Sequence, residues 1–511
     1  MRAAFSLASR RLPRATASTA HILTCRRYAT DVNLPHPPKP STFGQPTFQS
    51  HPHLLQLGEV TPGITEDEYE RRRGELMSQL PEGSVAISFS APVKYMSDAI
   101  FYKYRQASDF WYLTGFEEPD SAVVLRKNGG PRGYTMTLYS SGRTPSKEQW
   151  DGAFTSHPDA AVLFGADDAR SLDDLPGDLR KQLPRASTVY VDGPPVQKKK
   201  PTTGRSLLKM LTGGGGGRAA EDVLEGLSGT KRHALAPLVG RLRAVKSEFE
   251  QRVMRRAADI SGTAHAKTMR FAEPGRSEAQ LQAHFEYLCA REGSPRPAYV
   301  PVVASGANAL VIHYTKNDHV LRPNELVLID AGCEFGGYAS DISRTFPVSG
   351  TFTPPQRELY CAVLAAQKRL VELCVSSNGE SMNDLHRHSV EMLKDELQRI
   401  GFDFGGRKGA GVLERVLYPH YLTHPVGIDL HESATYDRYA PLKPGMVITI
   451  EPGVYVPYDD AFPAHFRGLG VRIEDEVLVG EKYATVLSVN APKEVADVEG
   501  ACQGALGFEA F

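Results

Sequence analysis

The chain has 511 residues, enough for two or three domains and a large core. Its 59 basic and 60 acidic residues leave no basic excess, which argues against a nucleic-acid-binding protein, and no apolar run approaches the length of about eighteen residues that a membrane helix needs. Six scattered cysteines, with neither a CxxC pair nor a framework spacing, read as free thiols of a reducing compartment.

Residues 1–30 contain no Asp or Glu and carry Arg2, Arg10, Arg11, Arg14, Arg26 and Arg27 among many Ala, Ser and Thr. No apolar core of about 7–15 residues follows the basic start, so the segment 1–28 reads as a mitochondrial transit peptide and not as a secretory signal. Its removal takes the formal net charge from −1 to −7. The expected location is the mitochondrial matrix or the matrix side of the inner membrane, with at most peripheral membrane association.

Residues 29–63, rich in Pro and His (Pro35, Pro37, Pro38, Pro40, His51, His53), read as an extended leader. From Thr65 a helical piece (Glu66 to Leu80) alternates with strands (Ser84–Phe89, Ala122–Leu125, Tyr134–Tyr139), which predicts a smaller α/β amino-terminal domain over 64–192. Lys198–Lys200 and the run Gly213–Gly217 mark 193–232 as a linker or insertion; five glycines with no following Lys-Ser/Thr are not a phosphate loop.

The second domain, 233–495, opens with two capping boxes, Ser247-x-x-Glu250 and Ser277-x-x-Gln280, each ahead of apolar residues at helical spacing. Strands follow (Tyr299–Ala304, Glu325–Asp330, Tyr338–Pro347), then helices (Gln356–Cys374, Asn383–Ile400), then strands again (Met446–Glu451, Val471–Val479). Two helices followed by antiparallel strands thus occur twice, which predicts an α+β domain with its site between two halves. Residues 496–511 read as a tail.

Carboxylates stand where apolar strands end: Leu-Ile-Asp330-Ala-Gly, Tyr-Ala-Ser-Asp341, Ile-Thr-Ile-Glu451-Pro-Gly and Val-Arg472-Ile-Glu474. Buried anions repel one another unless protons or metals compensate them. Four carboxylates balance two divalent cations, and one imidazole beside them makes an oxygen-rich donor set suited to Mn²⁺, with Fe, Co or Zn as competitors. Either His424 or His431 can supply that imidazole. Two such ions about 3.5–4 Å apart can share and acidify a water and clamp the attacked carbonyl, so hydrolysis of an amide or ester follows. The strand period puts Arg472 on the same face as Glu474, as an anchor for a carboxylate. Asp429 reads as a structural acid, Cys333 as a small buried apolar residue, and His313 ends an apolar run as Asp330 does. There is no HExxH and no G-x-S-x-G elbow.

With these motifs the chain resembles the pita-bread metallopeptidases, which include aminopeptidase P, prolidase and methionine aminopeptidase. The resemblance covers nearly all of 65–490 and implies a pita-bread catalytic domain behind the smaller α/β domain. It implies Asp330, Asp341, His424, Glu451 and Glu474 as ligands of two metals, usually Mn²⁺. It also implies that His313 and His431 position substrate and stabilise the tetrahedral intermediate, with Glu451 handling a proton. Tyr104-Arg105-Gln-Ala-Ser-Asp109-Phe-Trp111 looks like the aminopeptidase P branch. Together with the transit peptide it points to the mitochondrial intermediate-cleaving peptidases, which remove one bulky residue (Tyr, Phe or Leu) from imported proteins after presequence cleavage. An X-Pro aminopeptidase is the alternative. A catalytically inactive binding homologue is the reading that five intact ligands oppose. The family also implies a homo-oligomer, with the N-termini of imported proteins as partners.

Overall fold

Short runs of Val, Ile, Leu and Tyr, buried on both faces, build the first sheet. In the computed structural model, which describes residues 39, 41–192, 224, 232–405, 411–433, 435–507 and 509–510, the central pair is β1 (Val85–Phe89) against β2 (Ala122–Lys127), antiparallel. β3 (Tyr134–Ser140) and β4 (Asp168–Ser171) extend it on one side, and β5 (Val189–Val191) and β6 (Arg232–Ala234) on the other. Helices α1 (Glu66–Ser78) and α2 (Ser108–Thr114) cover one face through Tyr69, Leu76, Phe110 and Leu113. Leu172, Leu175, Leu179 and Leu183 cover the other.

Three boundaries differ from the sequence reading. Within the segment read as an extended leader, Glu59–Thr61 pairs with Ile64–Thr65, and Gln45 donates to the carbonyl of Gly115 at 2.9 Å. Arg232–Ala234, placed at the end of the linker and the start of the second domain, is the edge strand of the first sheet, parallel to β5. The supposed tail begins as a helix, Val495–Gln503, whose Val498, Ala501 and Cys502 join the main core. The segment 1–28 read as a transit peptide and the run Gly213–Gly217 lie outside the described residues.

The second domain opens with α3 (Ala236–Ala244), α4 (Glu248–Phe271) and α5 (Glu278–Arg291). Both predicted capping boxes are formed, each Ser accepting from the N3 amide while the Glu or Gln side chain accepts from the Ser amide. Antiparallel strands β7 (Val302–Ser305), β8 (Leu326–Asp330) and a later segment, Ser343–Pro347, form one three-stranded sheet with β8 in the middle. Between β8 and that segment lies a tight hairpin of β9 (Cys333–Phe335) and β10 (Tyr338–Ala339), turning through Gly336 and Gly337 at φ +54° and +81°. We label Ser343–Pro347 β11. Helices α6 (Pro354–Glu372) and α7 (Met382–Arg399) follow, then β12 (Val447–Ile450), β13 (Gly453–Tyr455), β14 (Gly470–Arg472) and β15 (Asp475–Leu478). β12 pairs with β15 and β13 with β14, all antiparallel, which completes the second half of the predicted pseudo-repeat.

The two domains meet across a buried seam. Arg72, fully enclosed, donates to the Tyr338 hydroxyl at 3.0 Å, Glu68 at 3.1 Å and the Tyr112 carbonyl at 3.3 Å. Tyr338 in turn donates to Glu250 at 2.8 Å, and Trp111 meets the Tyr338 ring edge-on at 5.8 Å. Gly337 is required there twice over: its φ is left-handed, and a Cβ would sit 2.6 Å from the Trp111 ring. Gly337→Ala is therefore expected to cost about 1–3 kcal/mol in chemical denaturation. Gly129→Ala, where a Cβ meets nothing within 4 Å, should leave the midpoint within error.

Candidate metal centre

Each of the four predicted carboxylates stands where a strand leaves its sheet. Asp330 is the last residue of β8, and Asp341 lies in the gap between β10 and β11. Glu451 lies between β12 and β13, and Glu474 between β14 and β15. The sequence reading ran single strands through 338–347 and 471–479; both are broken at the acidic residue. A residue out of the ladder has a backbone amide to satisfy, and here each finds an acceptor outside its own sheet. Asp341 N–H donates to Glu476 Oε1 at 3.0 Å, Glu474 N–H to the Ser343 carbonyl at 3.1 Å, and Glu451 N–H to the Leu422 carbonyl at 3.0 Å.

The side chains converge. One ligand atom each of Asp341, His424 and Glu474 lies within 4.8 Å of the others. His424 Nε2 is 3.3 Å from Asp341 and 3.6 Å from Glu451. The other nitrogen, Nδ1, faces the Pro425 carbonyl at 3.1 Å; with the proton there, the Nε2 lone pair is turned to the carboxylates. His431, the other candidate nitrogen, stands beside His424 with ring centroids 4.3 Å apart and lines the same cavity. Arg472 donates to Asp330 at 2.7 Å, to the Ser343 hydroxyl at 2.8 Å and to the Tyr455 hydroxyl at 2.6 Å; Ser343 then donates to Glu474 at 2.6 Å. Arg472 thus holds Asp330 directly and Glu474 through a serine.

Three polar residues escaped the sequence reading. The Tyr299 hydroxyl reaches both Asp330 and Asp341, at 2.6 and 2.7 Å. Tyr455 links Arg472 to His420 Nε2 at 2.9 Å, and His420 Nδ1 lies 3.8 Å from Glu451. Burial and the Arg472 charge press the His420 pKa down to about 3, so it remains a neutral imidazole. A cavity of about 530 Å³ opens over the cluster. His313, His431 and Arg438 line it together with Val300, Ile312 and Leu430.

Residues 252–481 match the model of metallopeptidase family M24, and residues 69–190 match that of the aminopeptidase P N-terminal domain. The chain belongs to metallopeptidase family M24. It is 38% identical over 459 residues to Intermediate cleaving peptidase 55, mitochondrial, of Arabidopsis thaliana, covering 89% of this chain and 87% of that protein. It is 37% identical over 471 residues to Xaa-Pro aminopeptidase 3 of Mus musculus, covering 90% of each. The crystal structure of Icp55 from Saccharomyces cerevisiae superposes with a TM-score of 0.77 at 35% identity, over 88% of this chain and 99% of that one.

The charges at this M24 site fit a pair of divalent cations. Burial first, then the neighbouring Asp330, push the Asp341 pKa up to about 8. Burial and mutual repulsion likewise raise Glu451 and Glu474 well above the usual carboxylate range. Arg472 supplies one positive charge against four carboxylates, so the cluster holds protons near neutrality that a cation would displace. The sign follows. Carboxyls with folded pKa values above the unfolded value of about 4 destabilise the cation-free fold progressively as pH rises toward about 8. Ligation removes that cost. The gap in melting temperature between Mn²⁺-loaded and chelator-stripped protein should therefore widen from about pH 5 to about pH 8; a gap that stays constant or narrows would refute the charge assignment.

Proposed function

We propose that this chain is a mitochondrial aminopeptidase that removes one bulky N-terminal residue (Tyr, Phe or Leu) from imported proteins after presequence cleavage. One observation carries it. Five metal-type ligands converge under one cavity, in a chain similar along most of its length to Intermediate cleaving peptidase 55. Asp330, Asp341, His424, Glu451 and Glu474 would hold two cations, for which Mn²⁺ suits the oxygen-rich set best. Bound there, they would supply Lewis acidity for the scissile carbonyl and acidify the attacking water.

The protein's own groups do the rest. The free amino end of a peptide enters the cavity over the cluster, and Val300, Ile312 and Leu430 in its lining receive the first side chain. His313 and His431 donate to the carbonyl oxygen as negative charge develops on it. Glu451 takes a proton from the attacking water and returns it to the departing amine. Arg472 positions Asp330 and, through Ser343, Glu474. Asp341→Asn and Glu474→Gln should each lose bound metal and lower turnover by several orders of magnitude, measured by metal analysis and peptide cleavage on the same preparations.

The substrate class is tested on the chain's own start. Arg26-Arg27-Tyr28-Ala29 fits cleavage two residues after an arginine, leaving Tyr28 exposed. Burying such a side chain supplies roughly 1.5–3 kcal/mol, about tenfold or greater preference over small residues. Mass spectrometry of the mature protein should find Ala29 first in the wild type and Tyr28 first in Glu451→Gln, and peptides beginning Tyr-Ala should lose one residue and stop. The second reading, an X-Pro aminopeptidase, is favoured by the comparable identity to Xaa-Pro aminopeptidase 3. It replaces the first if only peptides with Pro in second position are cut.

A further inference from the structure

The motif Tyr104-Arg105-Gln-Ala-Ser-Asp109 belongs to the amino-terminal domain, yet the side chains of Arg105, Ser108 and Asp109 reach the catalytic one. Arg105 Nη2 donates to the Ile428 carbonyl at 2.6 Å, and its Nε to Glu334 at 2.8 Å. The Ser108 hydroxyl donates to Asp429 Oδ1 at 2.5 Å. Asp109 accepts from Arg243 Nη1 at 2.6 Å. That same Arg243 guanidinium, almost wholly buried on α3, donates to Asp429 Oδ2 at 2.6 Å and to both oxygens of Glu432 at 2.5 and 2.8 Å.

Apart from the Arg105–Glu334 pair on β9 and the Asp109–Arg243 pair, these contacts fall on Ile428, Asp429 and Glu432, the residues that bracket His431. The loop is tied to itself as well: Glu432 N–H donates to the Pro425 carbonyl at 2.9 Å, and Asp429 N–H to Glu432 Oε2 at 2.8 Å. His431, by contrast, leaves its side chain exposed on the cavity wall. A catalytic imidazole on a loop needs its backbone fixed from outside, because a displacement of about 1 Å can cost on the order of 100-fold in rate.

We infer that Arg105, Ser108 and Asp109, the last through Arg243 of α3, form a clamp by which the amino-terminal domain positions His431 over the metal centre, Arg105 being a positioning residue that acts through that imidazole. The inference rests on the proposed role of His431 in the reaction. It gives the amino-terminal domain a part in the chemistry although it supplies none of the candidate ligands. Arg243 is unsuited to a first test, since its removal would leave buried carboxylates unpaired. Arg105 is partly exposed, so its loss should be tolerated by the fold.

The test is a double-mutant cycle of Arg105→Ala and His431→Ala in the full-length, Mn²⁺-loaded enzyme. It is assayed on whichever of a Tyr-Ala and a Tyr-Pro peptide the wild type cleaves. Arg105→Ala should lower kcat about 10- to 100-fold with little change in KM, metal content or melting temperature, and the loss should vanish in the His431→Ala background. Arg105→Lys, which keeps the charge and loses the planar fork, should fall between. An equal loss from Arg105→Ala in both backgrounds overturns the clamp, as does loss of metal or of folding in the single variant. If His431→Ala itself cleaves normally, the role assigned to His431 fails first, and the clamp with it.

Discussion

Four carboxylates gathered in one enclosed place are a standing electrostatic cost, and much of this protein is arranged to meet it. A single guanidinium, Arg472, reaches one of them directly and another through Ser343, and a shared tyrosine hydroxyl bridges Asp330 and Asp341. What remains is an anionic, oxygen-rich cavity whose natural counter-charge is a pair of divalent cations. The strand breaks are the structural means. A regular strand alternates its side chains between two faces, whereas a residue at a break can be aimed independently while its amide finds an acceptor outside its own sheet.

Beyond the metal centre, charged side chains also govern how the two domains meet. Arg72, Arg105 and Arg243 cross or flank the seam, each engaging several acceptors. Such pairs add little net stability compared with apolar packing, but breaking one leaves a buried charge unpaired. They therefore fix one relative placement of the domains, and the loop bearing His431 is part of what is fixed. Asp429, read from the sequence as a structural acid, is one of the groups gripped.

The candidate ligand residues were legible because a carboxylate ending an apolar run is chemically conspicuous, and capping boxes made the long helices easy to place. Breaks at Asp341 and Glu474 were not legible: Ile342 and Ile473 beside them continue the apolar pattern, so nothing local marks where the ladder stops. Tyr299, Tyr455 and His420 were missed because an aromatic residue near a strand is ordinarily core, and only the fold shows which hydroxyl faces a carboxylate. β5 and β6, three residues each, are too short for periodicity to register, and they owe their existence to pairing with a sheet already formed. The helix Val495–Gln503 looked like a tail because it is short and its apolar residues are small, although Val498 and Ala501 are fully buried.

The breaks that aim the ligands are divided between the halves of the pseudo-repeat: Asp330 and Asp341 come from the first, Glu451 and Glu474 from the second, and His424 from the stretch between. Translation therefore delivers the donors in instalments. A chain emerging N-terminus first from a ribosome presents two carboxylates long before their counterparts exist. Assembly of the whole cluster and completion of the fold are then one event, so a partly made copy has no complete site.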